Sequence, residues 1–141
     1  MWGFNPKTID MSHSEVMSLL PRELVDFGSI ESTDRMYQVP MVESLDYIMR
    51  KVPSWKYTYA QNTMDCDDFV RIFRGWLSMK GFGNLLAIDT EVTLPHGVRH
   101  NLISFMDLER KDRHNKHPLI FGEPQTGKLV SGNYTGVKLK L

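Results

Sequence analysis

The most constraining feature of this chain is a change of hydrophobic period at its middle. Between Asp65 and Lys80, the residues Phe69, Ile72, Phe73, Trp76 and Leu77 fall at i, i+3, i+4, i+7 and i+8, the spacing of one apolar helix face. Gly81 and Gly83 then supply a stop signal. From Leu86 the period becomes two: Leu86, Ile88, Thr90 and Val92 alternate with Ala87, Asp89 and Glu91, as a half-buried strand requires. Pro95 and Gly97 turn that strand back. On the return, Val98, His100, Leu102, Ser104 and Met106 share one face, and Arg99, Asn101, Ile103, Phe105 and Asp107 share the other. A helix followed by an antiparallel hairpin predicts an α+β fold.

Size and charge set the outer bounds. A chain of 141 residues buries roughly two thirds of its extended surface on folding, enough for one core. It carries 17 basic and 17 acidic residues with 41% apolar and 24% charged content, which disfavours disorder and a nucleic-acid-coating role. No apolar run approaches the ~20 residues that span a bilayer, and the first ten residues lack the pattern of a secretory leader. The expectation is a cytoplasmic protein with no membrane partner. Residues 1–141 are expected to form a single domain, since no repeat or linker-like tract interrupts them.

The remaining elements are shorter. Ser12 to Glu15 fits a capping box ahead of Val16, Leu19 and Leu20, predicting a helix over residues 12–20 that Pro21 limits. A second helix begins near Pro40, with Val42, Leu45, Ile48 and Met49 at helical spacing, and ends before Pro53. Trp55 to Tyr59 reads as an extended aromatic segment that could line a cleft. Leu119 to Phe121 is a third strand, Glu123 to Gly127 a turn, and the tail from Tyr134 to Leu141 an edge strand.

One cysteine, Cys66, excludes an internal disulfide. It stands where the central helix begins, and unpaired N–H groups at a helix start favour a thiolate. A nucleophilic thiolate needs a base and a group that fixes the imidazole. His100 fits the first role; Glu123, or less favourably Asp107, fits the second. Gln61, or Asn62 in its place, lies close enough before Cys66 to donate to an oxyanion. Asp65, Asp67 and Asp68 surround the thiol and would oppose its ionisation unless they point away; Asp65 could equally be the N-cap. The spacings among His96, His100, His114 and His117 suggest zinc only on a helix, and none of these histidines lies on a predicted one.

The run Asp65-Cys66-Asp67-Asp68-Phe69, the helix, the strand histidine and the string Glu123-Pro124-Gln125-Thr126-Gly127 together resemble a papain-like cysteine peptidase domain. It is the one at the C-terminus of the Marasmius oreades agglutinin, with small stand-alone relatives in bacteriophages and bacteria. The resemblance covers residues 40–130 and leaves 1–39 as an N-terminal extension. It implies a reduced papain-like fold, with the helix that begins at Cys66 packed on a small antiparallel sheet. It also implies a Cys66 nucleophile, a His100 base with His96 as the open alternative, and a Glu123 orienting group.

The activity so implied is that of a thiol hydrolase or acyl transferase acting on a protein or peptide substrate, in a bacterial host cell if the chain is phage-encoded. No cofactor follows, although calcium stays open. The resemblance does not reach the agglutinin's sugar-binding module. The competing expectation, from another functional class, is a non-catalytic accessory or inhibitor protein that keeps the fold and acts by binding. Oligomeric state is not legible in the sequence.

Overall fold

A computed structural model describes residues 3–26, 35–60 and 64–141. Among these described residues, ten strands and α-helices follow in order: β1 (Thr8–Ser12), α1 (His13–Leu19), β2 (Met36–Pro40), α2 (Leu45–Lys51), α3 (Cys66–Met79), β3 (Ile88–Thr93), β4 (Arg99–Met106), β5 (Leu119–Glu123), β6 (Lys128–Val130) and β7 (Gly136–Lys140). Strands β1 and β2 form an antiparallel pair. The other five make an antiparallel sheet in the order β6-β5-β4-β3-β7. The architecture is α+β, as the change of period predicts.

Local chemistry explains the boundaries. At the start of α1 the Ser12 hydroxyl accepts from the Glu15 N–H at 3.2 Å and the Glu15 carboxylate accepts from the Ser12 N–H at 3.0 Å, closing the predicted capping box. A 3-10 turn at Val42–Ser44 leads into α2, which stops ahead of Pro53. The β3–β4 hairpin closes through Leu94 N–H to the Val98 carbonyl, with Gly97 at φ +87. That left-handed conformation favours glycine.

Three layers result. Helices α2 and α3 cover one face of the sheet, where Phe69, Val70, Phe73 and Leu77 meet Ile103, Phe105, Leu85 and Ala87. The opposite face carries Ile88, Met106 and Leu139, packed against Val16 and Leu20 around α1 and against Tyr37 and Val39 of β2. Successive side chains of a strand point to opposite faces, so Phe105 and Met106, adjacent in β4, belong to different cores. Removing Phe73 or Phe105 deletes a fully buried ring and costs about 3–5 kcal/mol.

One expectation is corrected. Trp55 to Tyr59 is not a strand: Pro53–Lys56 is a 3-10 turn, because Pro53 fixes a turn-compatible φ, and Trp55 within it and Tyr57 and Tyr59 after it lie exposed. From the N-terminal extension, Met11, Val16, Leu20, Tyr37 and Val39 line the second core. The tail strand β7 does pair at an edge, and β6, unforeseen, forms the other edge.

Candidate functional site

Cys66 is the first residue of α3 and is half-buried. Asp65 is the N-cap, and the Asp68 carboxylate turns back to accept from the Asp65 N–H at 3.1 Å while also meeting Arg71 at 2.9 Å. That N–H, and secondarily Arg71, hold the Asp68 carboxyl below its usual range. Asp67 does not turn away. The Cys66 Sγ donates to Oδ1 of Asp67 and to Oδ1 of Asn101, both at 3.8 Å. Burial pushes the thiol above its ordinary range, and the Asp67 and Asp65 carboxylates push in the same direction; hydrogen bonding with the backbone at Asn101 and Asp67 offsets part of this. The thiol at this helix start thus lies above its ordinary range rather than below it, with desolvation and two carboxylates as the raising causes.

His100 and Glu123 meet. His100 Nε2 lies 2.5 Å from Glu123 Oε1, and Glu123 Oε2 accepts from the Gln125 N–H at 3.2 Å. The tight turn at Glu123 to Gly127 aims the carboxylate, with the Thr126 and Gly127 N–H groups both bonded to the Glu123 carbonyl.

The pair sits on the face away from α3. A Cβ on Gly122 would run into Met49 of α2, so Gly122 faces the helices and its neighbour Glu123 faces away. By the same alternation, Asn101 reaches Cys66 and Asp89 on the helix face, and His100 points to the other. Burial raises the Tyr134 hydroxyl pKa, and the Glu123 charge adds to the shift. Phe121, on the same face as Glu123, stacks edge-on with Tyr134, ring centroids 5.1 Å apart.

The remaining candidates lie elsewhere. Asp107 directly follows β4, where it pairs with Arg110 Nε at 2.6 Å and caps the Glu109 N–H. His96 is exposed in the β3–β4 turn. His117 bonds through Nδ1 to the Arg110 carbonyl at 2.7 Å, a structural contact. Gln61 and Asn62 lie outside the described residues.

Around Cys66 the sheet and helix leave a groove of about 320 Å³, lined by Cys66, Asp67, Arg71, Asp89, Glu91, Arg99, Asn101 and Lys140. Its charges balance, three carboxylates against three cations. Asn101 donates to Asp89 at 3.3 Å and Arg99 lies 3.5 Å from Glu91. Cys66 and Asp67 apart, these lining residues were not singled out from the sequence, although the alternation in β4 had already put Arg99 and Asn101 on one face.

No family model matches the chain, and no curated protein matches it. Solved structures do. The fold is one seen in lectin chains. A chain of the Polyporus squamosus lectin, bound to the human-type influenza-binding epitope Neu5Aca2-6Galb1-4GlcNAc, aligns with a TM-score of 0.67 at 19% identity, covering 92% of this chain and 49% of that one. A chain described as a "PSL1a-E64 complex" aligns with a TM-score of 0.64 at 20% identity, covering 95% of this chain and 50% of that one. This chain thus spans about half the length of those structures.

The expectation of a papain-like cysteine peptidase, with its protein substrate, is overturned. The fold neighbours are lectin chains, and the geometry agrees: the thiol faces an amide and carboxylates on one side of the sheet, while the imidazole and its glutamate occupy the other. Among the described residues no helix is long and apolar enough to cross a membrane.

Proposed function

We propose that this domain acts by binding, without cleaving its ligand, and that the groove beside Cys66 receives a polyhydroxylated ligand of the saccharide class. The observation that carries the proposal is the interleaving of donors and acceptors along the groove. Asp67, Asp89 and Glu91 accept from hydroxyl groups; Arg71, Arg99, Lys140 and the Asn101 amide donate to ring and hydroxyl oxygens. A sugar needs both at short intervals. A volume of about 320 Å³ lies at the lower end of small-molecule sites.

The sequence resemblance offered no ground for sugar binding, whereas this lining does, and the likeness in fold to lectin chains adds support. The raised thiol pKa suits a hydrogen-bonding rather than a nucleophilic Cys66. The test is calorimetric titration of the intact chain against a panel of free oligosaccharides that includes the sialylated epitope above. Binding by at least one sugar, weakened about tenfold or more in Asn101→Ala and Asp89→Ala, is expected. Heat changes absent across the panel, or an affinity indifferent to both substitutions, would contradict the assignment.

A further inference from the structure

A second surface lies away from the groove, at the free edge of the sheet. Strand β6 pairs with β5 alone among the described residues. In an antiparallel pair, alternate residues turn their N–H and C=O groups away from the partner strand, so this edge can accept a further strand. Next to it is a depression of about 590 Å³ lined by Trp55, Leu129, Asp46 and Arg50, with Thr126 to Lys128 along its rim.

Trp55 is a fixed platform there. Its indole N–H donates to the Arg50 carbonyl at 3.0 Å. Its five-membered ring lies so close to the β5–β6 turn that a Cβ on Gly127 would stand 2.6 Å from Cδ1. Yet 42% of the residue stays exposed, as does 37% of Leu129. An ordered, half-exposed tryptophan beside an exposed leucine is the composition of a recognition pocket.

Register specifies the occupant. Leu129 pairs with Gly122, whose Cα faces Met49 of α2, so Leu129 points to the helix side; Lys128 pairs with Glu123 and points to the other. A strand added to β6 would alternate in the same way. Its odd side chains would enter the apolar depression beside Trp55 and Leu129, and its even ones would pass Lys128. Asp46 is already paired with Arg50 at 3.0 Å, and Lys56 lies over the Trp55 ring at 5.6 Å. Glu123, across from Lys128, is engaged by His100 at 2.5 Å, and among the described residues neither Lys128 nor Lys56 has a carboxylate partner, so the charge left over at this edge is positive. We infer that β6 and the Trp55 pocket form a docking site for an extended peptide segment that alternates apolar and acidic side chains, held by strand addition.

The experiment uses fluorescence anisotropy with the full chain and a fluorescein-labelled, capped octapeptide of alternating leucine and glutamate. Three comparison peptides accompany it: alternating leucine and lysine, the same leucine–glutamate composition in doubled order, and the first peptide N-methylated at alternate positions. Saturable binding of the first peptide alone is expected. Trp55→Ala should weaken it roughly tenfold, and Lys128→Glu should transfer the preference to the leucine–lysine peptide. The charge reversal lies on an exposed side chain, so it keeps the test valid if Trp55→Ala proves unstable. The proposal is overturned by no saturable binding, by equal binding of the doubled-order or N-methylated peptide, by indifference to Lys128→Glu, or by self-association through β6 in place of peptide binding.

Discussion

The two faces of β4 make the instructive comparison in this molecule. On the helix side, Asn101 stands beside a thiol, Asp89 and Asp67, all in a polar groove open to solvent. On the other side, one residue earlier, His100 is locked to Glu123 at 2.5 Å beside Phe121 and Tyr134. Each face holds half of what a thiol enzyme would need. Their separation by the thickness of a sheet teaches that the right residue types, in the right order along the chain, do not make a relay unless strand parity brings them to one side.

The comparison can be broken most severely in the two cores. Phe105→Ala on the helix side should cost about 3–5 kcal/mol and Met106→Ala on the other about 2–5 kcal/mol, because both residues are wholly buried. Denaturant unfolding measures both. A near-neutral Met106→Ala would mean that the β1, β2 and α1 layer is peripheral and that the second face is not a core.

A smaller effect separates the polar halves. His100→Ala leaves the largely buried Glu123 carboxylate without its imidazole and should destabilise by about 1–3 kcal/mol, while ligand affinity at the groove remains within twofold of the native chain. Asn101→Ala should do the reverse: little change in the unfolding midpoint and a roughly tenfold loss at the groove. If both substitutions reduce binding alike, the two faces communicate and the division drawn here fails.

Smallest is the effect of pH on the thiol. Burial and the Asp67 and Asp65 carboxylates disfavour the thiolate, so the proton leaves at higher pH than from free cysteine. The alkylation rate should therefore reach half its plateau above the pH that serves a model thiol, and Asp67→Asn should lower that midpoint. A midpoint below the free-cysteine value would show that the helix start wins over desolvation.

Much of this architecture was written plainly in the chain. The amphipathic set from Phe69 to Leu77 marks α3 at nearly its observed limits, the Ser12 to Glu15 box starts α1, and the alternation around Pro95 and Gly97 places the β3–β4 hairpin. Strands β1, β2 and β6 were not legible. They are short, and their conformation is set by tertiary pairing: β2 is fixed partly by bonds from Gln38 to the backbone at Asn84 and Leu86, far along the chain.

The site shows a different limit. Residue alternation already assigned His100 and Asn101 to opposite faces, but both faces carry apolar residues, Leu102 and Met106 on one and Ile103 and Phe105 on the other. Nothing in the one-dimensional pattern says which face α3 will cover. The Cys66, His100 and Glu123 order suggested convergence; His100 and Glu123 do meet, while strand alternation sets Cys66 beside Asn101 on the other face.

The central claim, that the thiol and the imidazole work on opposite sides of the sheet, is tested most directly by second-order alkylation of Cys66 with iodoacetamide at pH 6, in the native chain and in His100→Ala. The account predicts slow labelling, no faster than free cysteine, at the same rate in both proteins. Labelling far faster than free cysteine that collapses in His100→Ala would contradict it.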